Sequence, residues 1–417
     1  MTHLLRRVSP AELNGYERVA EDAAHATAVG IVEDIRGGGE PALRAHAERS
    51  GDIEPGRPMV VDRGDLKSAF EALDPDTRAL LTRVHRRIER FSRAQRNGLS
   101  DLTIQVEGGQ AGHRWLPVTT VGACAPGGSH PLPSTVLMTV TPARVAGVTS
   151  VWMASPRPSS LTLAASWVAG ADGLLTVGGA QAVAALAFGT VGPAAELIVG
   201  PGDRLVTAAK RHLLGEVGID GLTGPGEVLV IADESADPGL VAADLLAQAE
   251  HDSDGVPGLI VTTTAMADAV EQELAARLTD LPNVEVARSA LVNGFCVVVP
   301  DLRMAAEVSD DIAPEQLALH VTDPRALALQ VRNYGSLFVG ANATGAFTDY
   351  GAGPNHVLPT AGGSRFRAGL SVMTFLKPST WLSVDRPHEL IDDTVQMARL
   401  EGLEAHARAA MARDRNL

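Results

Sequence analysis

Two adjoining runs, Val228-Leu-Val-Ile-Ala232 and Leu240-Val-Ala-Ala-Asp-Leu-Leu-Ala-Gln-Ala249, decide the fold class. The first is apolar at every position, with no polar alternation, as expected of a strand buried on both faces of a parallel sheet. The second places apolar residues at Val241, Leu245 and Leu246, the spacing of a helix face. Working outward, the same alternation recurs. Short Val/Ile/Leu runs predict strands at 119–124, 150–154, 174–177, 197–199, 228–232, 258–262 and 295–299. Ala/Leu-rich runs predict helices at 142–146, 160–169, 180–188, 204–214, 240–249 and 265–279. Further helices are expected over 17–49 and 74–96. Strands alternating with helices define an α/β protein.

The helix over 240–249 carries Gln248, and His251 follows three residues on, so both side chains leave one face. By itself such a pair is more often a solvated helix face than a ligand pair. A second segment changes the weighting: Asp349-Tyr-Gly-Ala-Gly-Pro-Asn-His-Val-Leu-Pro-Thr360 brings a carboxylate, an amide and an imidazole into a Gly-rich stretch. Gln, His and Asp, joined by one more His, suit a divalent metal of borderline softness such as zinc.

The 417 residues exceed the usual size of one domain, so two or more are expected. Apolar content of 45% with 20% charged residues describes an ordinary globular protein. A formal charge of −15 without any basic block argues against nucleic acid or an anionic membrane as partner. No apolar run of about 18 residues is present, and the N-terminus lacks a hydrophobic signal core, so a cytoplasmic protein is expected. The two cysteines, Cys124 and Cys296, have no CxxC spacing and imply neither a disulfide framework nor a Cys-type zinc site.

Turn signals cluster at Pro126-Gly-Gly128, Gly200-Pro-Gly202 and Gly224-Pro-Gly226, where ligands bind in open α/β sheets if the turns sit at carboxyl strand ends. A GxGxxG fingerprint is absent, and Gly37-Gly-Gly39 lies in a polar turn between helices. The amphipathic stretch 388–417 is too small for its own core and must dock elsewhere.

Taken together, residues 119–138, 174–188, 196–232, 241–255, 311–319 and 349–360 resemble histidinol dehydrogenase, over nearly the whole chain. That family oxidises an amino alcohol to an amino acid in two NAD-dependent steps on a zinc site. The resemblance implies an intertwined homodimer with two Rossmann-like domains carrying parallel sheets, a small N-terminal segment, and a helical C-terminal tail that completes the partner's site. The domains are expected at 1–16, at 17–120 plus 228–367 on the metal and substrate side, at 121–227 on the cofactor side, and at 368–417 for the tail. Gln248, His251 and Asp349 match zinc ligands, and His406 matches the fourth, supplied by a second copy. Glu401, His356, Ser134 and Thr135 match substrate contacts, as the ligands themselves do.

Several positions depart from the family pattern. In Ala313-Pro-Glu-Gln-Leu317, expected at a helix start, Glu315 is kept while Gln316 stands where the family has its histidine base. A neutral amide cannot accept a proton at physiological pH. His320, one helical turn on, is a candidate replacement. In Thr223-Gly-Pro-Gly-Glu227 the family's substrate-contacting serine is Gly226. Among cofactor positions, Cys124 replaces a tyrosine and Asp203 an asparagine, with Arg204 able to neutralise Asp203, while Gln181 is unchanged. These changes predict a zinc enzyme oxidising, with NAD if the cofactor is retained, a small polar alcohol or aldehyde other than histidinol. Glu315 would be its base and Gln316 would orient the substrate. The alternatives are a zinc hydrolase or lyase without NAD, in which Glu315 activates water, and a non-catalytic metabolite-binding protein.

Overall fold

The computed structural model describes residues 3–13, 22–127 and 131–414. The expected helix start at 17–21, residues 14–16 of the N-terminal segment, Gly128 of the 126–128 turn and the end of the tail at 415–417 lie outside the described residues. In chain order the strands are β1 (Arg6–Arg7), β2 (Val60–Asp62), β3 (Leu102–Val106), β4 (Gly109–Pro117), β5 (Thr120–Cys124), β6 (Ser150–Ala154), β7 (Gly173–Leu175), β8 (Leu197–Val199), β9 (Gly218–Ile219), β10 (Glu227–Ala232), β11 (Val256–Val261), β12 (Phe295–Val298), β13 (Gln316–His320), β14 (Ser336–Val339) and β15 (Leu376–Val384).

Among the described residues these strands form three sheets. The first runs β1-β12-β11-β10-β13-β14 and is parallel throughout. The second runs β2-β7-β6-β5-β8-β9, with only β2 antiparallel to its neighbour. The third is an antiparallel ribbon, β15-β4-β3. Central strands are apolar on both faces because helices cover both: Val228, Val230 and Ala232 pack in one core, and Leu229 and Ile231 in another on the opposite face. This is the α/β architecture with two parallel sheets that the Val/Ile/Leu runs predict.

The expected division groups residues 17–120 with 228–367; the helices of that span also cover the second sheet, while Val357 packs in the same core and Arg87 Nε donates to the Gly351 carbonyl at 2.8 Å. From the helix Asp22–Arg49, Ala28, Val32, Ile35 and Leu43 pack with Val183 and Ile198 of the second unit. Leu66, Leu81 and Ile88, from the helices Arg63–Glu71 and Pro75–Asn97, pack with Val121, Val151 and Leu174. The cause is burial: the second sheet has two apolar faces, and the N-terminal helices carry the apolar stripes that cover them. From the N-terminal segment, β1 extends the first sheet beside β12.

Local readings shift in three places. The helix expected at 142–146 is the longer Pro133–Ala146, begun by Pro133 at its first turn. Its Thr-rich middle conceals it, since Thr139 bonds back to the Thr135 carbonyl and remains compatible with helix. Gly39, at φ +56° with non-helical backbone, divides the described part of the stretch expected as one helix over 17–49 into two helices, at the break expected over Gly37–Gly39. Glu315 and Gln316 do not start a helix: Ala313 terminates one at φ +56° and Gln316 opens β13. In the tail, β15 pairs with β4 along its full length, and the helices His388–Leu400 and Glu404–Met411 follow. Among the described residues no helix is long and apolar enough to cross a membrane.

Candidate active site

The candidate site lies at the amino edge of the first sheet. Glu227 opens β10 and Gln316 opens β13 beside it, with Val228 in register with Gln316. Glu315 and Glu227 brace each other. Glu315 Oε2 accepts from the Glu227 backbone N–H at 2.8 Å, and Glu227 Oε2 accepts from the Glu315 N–H at 3.4 Å. Glu227 Oε1 also accepts from the Ala361 N–H at 2.9 Å. Burial pushes both carboxyls above the usual range, and for Glu315 the nearby carboxylates of Glu227 and Asp349 add to the rise.

Gln248 is buried in the last turn of the helix Pro238–Ala249, and His251 follows directly, its N–H donating to the Gln248 carbonyl at 3.2 Å. Gln248 Nε2 fills the space where a Cβ on Gly226 would stand. A serine at Gly226 would therefore displace the amide. Asp349 closes the helix Gly345–Asp349 and is half-buried. Burial pushes its carboxyl up to about 6, with His251 pulling the other way. His356 Nδ1 approaches the Asp349 carbonyl at 3.2 Å and its Oδ1 at 3.8 Å, and His356 Nε2 lies 3.2 Å from Thr135 Oγ1. A carbonyl only accepts, so Nδ1 carries the hydrogen and Nε2 accepts from the threonine. Burial pushes His356 down to about 4, which keeps the imidazole neutral. Thr135 belongs to the helix following β5, so this bond joins the two units. Ser134 sits half-buried in the same first turn. Gln316 is buried with its Oε1 against Gly345, where no Cβ would fit.

Not every expected residue joins this cluster. Glu401 and His406 are exposed on the tail, and their side chains make no hydrogen bond or ion pair among the described residues. His320 is no substitute base. In a strand it stands four residues beyond Gln316, about 13 Å away at the usual rise, and its Nε2 is engaged by Asp244 at 2.8 Å.

The expected cofactor positions sit at carboxyl ends of the second sheet. Cys124 ends β5, buried, with its thiol pushed up to about 11 by burial. Gln181 Nε2 donates to Asp52 Oδ2 at 3.2 Å, and Asp52 Oδ2 also accepts from the Gly178 N–H, so this residue braces its loop. Asp203 caps the helix Arg204–Leu213, accepting from the Leu205 and Val206 N–H groups. Arg204 pairs with Asp254 at 2.6 Å, so it does not serve as the expected neutraliser of Asp203.

Sequence reading missed Glu227, Asp244 and the buried pair Lys210–Asp220. Lys210 Nζ donates to the Gly200 carbonyl at 2.5 Å and to Asp220 Oδ1 at 2.8 Å, while Asp220 Oδ2 accepts the Gly200 N–H. The available signal was a lysine on the apolar stripe of Val206, Ala209 and Leu213.

The donor set fits a metal. Among the described residues, the Gln248 and His251 side chains form no hydrogen bond, and Asp349 meets only the long approach of His356. Gln248 is buried, Asp349 half-buried and His251 exposed, so the fit rests on donor chemistry: an amide, an imidazole and a carboxylate suit a cation of borderline softness. No three His, Cys, Asp or Glu side chains among the described residues form a metal group alone. Such a site would have to include an amide donor such as Gln248.

Two six-stranded sheets with helices on their faces, a polar cluster at the edge of one and strand-end loops on the other define an α/β protein with two parallel sheets. Residues 16–414 match the histidinol dehydrogenase family, to which this chain belongs. The histidinol dehydrogenase of Thermus thermophilus is 47% identical over 386 residues, covering 91% of this chain and 92% of its own. That of Parasynechococcus marenigrum is 42% identical over 395 residues, covering 92% and 89%. The crystal structure of histidinol dehydrogenase from Elizabethkingia anophelis superposes with a TM-score of 0.92 at 29% identity, over 99% of this chain and 98% of that one. The expectation of a substrate other than histidinol, together with its non-redox and non-catalytic alternatives, is overturned by this near full-length identity to histidinol dehydrogenases. Departures at single site positions do not outweigh it.

Proposed function

We propose that this chain oxidises histidinol to the amino acid in two NAD-dependent steps, at a zinc site shared between two copies of a cytoplasmic homodimer. The observation that carries this reading is the 47% identity to a histidinol dehydrogenase over 91% of the chain. These three, with His406 from a second copy, would hold the metal. Bound zinc would supply a Lewis acid for the reacting oxygen.

The remaining chemistry falls to side chains. NAD, when bound, would accept one hydride in each of two oxidations, alcohol to aldehyde and hydrated aldehyde to acid, and each oxidation would also release one proton to a base. Glu315 is the fitting acceptor, because its raised carboxyl holds protons more strongly than an ordinary carboxylate. Gln316 can orient the substrate through its amide but cannot take a proton. Neutral His356, fixed by Thr135 and the Asp349 carbonyl, presents a set orientation to substrate. Ser134, Thr135, Gly226 and Glu401 complete the substrate contacts. The loops bearing Cys124, Gln181 and Asp203 would hold the dinucleotide.

The test is NADH formation from histidinol by zinc-loaded protein, before and after chelation. Histidinol-dependent NADH that is lost with the metal and restored by zinc supports the reading. Protein that takes up zinc yet forms no NADH from histidinol contradicts it.

A further inference from the structure

One buried cluster outside the site ties together the three elements that build it. Asp244 lies in the helix Pro238–Ala249, one turn before Gln248 and on the same face. Its Oδ2 meets His320 Nε2 at 2.8 Å, and its Oδ1 accepts from Thr344 Oγ1 at 2.7 Å. His320 ends β13, the strand that Gln316 opens. Thr344 precedes the helix Gly345–Asp349, whose last residue is Asp349. One carboxylate thus links the helix of Gln248, the strand of Gln316 and the helix of Asp349. The His320 and Asp244 side chains are only 2% and 12% exposed.

Two local sacrifices accompany this arrangement. Thr344 occupies a helix N-cap position, where a threonine hydroxyl ordinarily accepts from a first-turn N–H, yet it makes no capping bond. Its hydroxyl is turned to Asp244 instead. His320 Nδ1 is buried without a hydrogen-bond partner. With Nε2–H donating to Asp244, Nδ1 is left as an unsatisfied acceptor. Both groups forgo ordinary local bonding, and both converge on the same carboxylate.

We infer that Asp244, held between His320 and Thr344, is a positioning residue that sets the mutual placement of Gln248 and Asp349 for metal binding. The inference rests on the zinc reading above. Asp244 touches neither metal nor substrate in this role. It acts through the elements it joins, as residues behind metal ligands do when they orient those ligands.

The experiment is zinc affinity of the full chain by chelator competition, alongside the thermal midpoint of the zinc-free protein. Asp244→Asn should weaken zinc binding about tenfold or more. Thr344→Val should weaken it in the same direction, and Thr344→Ser, which keeps the hydroxyl, should restore it. The Thr344 pair preserves the test if Asp244→Asn fails to fold. The zinc-free midpoints of Thr344→Val and Thr344→Ser should lie close together while their zinc affinities separate. Parental zinc affinity in Asp244→Asn and Thr344→Val would overturn the inference and leave the zinc reading standing. A parent chain that takes up no zinc would overturn the zinc reading and this inference with it.

Discussion

At the scale of single residues, the proposed chemistry turns on Glu315 and Gln316. Replacing Glu315 with Gln removes the carboxyl that can accept a proton and should lower kcat by about 10²- to 10⁴-fold. KM should change little, and steady-state kinetics with histidinol separates the two. Gln316→His puts an imidazole beside Gly345 and should raise kcat, because a titratable base is then added to the site. An unchanged or lower kcat in a folded, zinc-loaded Gln316→His protein would show that the amide is not what restrains turnover. His356 gives a pH prediction. Its ordinary value is 6.5 and its folded value is about 4, so between these the unfolded chain binds the extra proton. Its contribution to stability is present above 6.5 and is lost as pH falls toward about 4. The raised carboxyls of Asp349, Glu227 and Glu315 run the other way, so the check is the difference: relative to His356→Gln, the zinc-free parent should lose stability over that window in denaturant titrations. The candidate donors Gln248, His251 and Asp349 stood out by residue type and, for the first two, by helical spacing. Glu227 and Asp244 were not, because their partners lie 88 and 76 residues away in sequence and no local pattern announces such bonds.

At the scale of elements, the apolar runs located the central strands, whereas amphipathic or short strands escaped. β13 is a case in point. Gln316 and His320 at its two ends hide a buried strand, and the Ala313-Pro314 step resembles a helix start, although Ala313 actually ends a helix. The ribbon β15-β4-β3 mixes charged and apolar residues and has no continuous apolar run. The loop after β8 shows what fixes such an element. Gly200 takes φ +101° and packs against the Cys124 carbonyl with no room for a side chain, while Lys210 and Asp220 hold its backbone from below. These two side chains are 1% and 5% exposed. Removing one partner strands the other charge in the interior, so Lys210→Met should cost about 3 kcal/mol or more in chemical denaturation. The double change Lys210→Met with Asp220→Asn should recover part of that loss. Equal stabilities for the single and double variants would remove the pair from this account.

At the scale of the whole molecule, the chain leaves its tail only partly occupied. Ala398 and Ala407 are buried, yet Met397, Leu400 and Leu403 remain exposed on and between the tail helices, as do Glu401 and His406. Phe347 and Tyr350, flanking Asp349, are exposed as well. Apolar side chains on the tail and beside the site fit an assembly in which each copy's tail covers the other's site. The fold class was legible from strand–helix alternation. Which sheet each helix covers was not, because that is settled by burial across the whole chain and not by order along it. The measurement that tests the central claim most directly mixes two inactive variants, His406→Ala and Gln248→Ala, under conditions of subunit exchange, and follows histidinol-dependent NADH formation. Each mixed dimer would hold one site with all four donors intact. Activity should therefore return to about a quarter of the parental level when exchange is random. Mixed dimers that form yet make no NADH, while the parent does, would contradict a zinc site shared between copies.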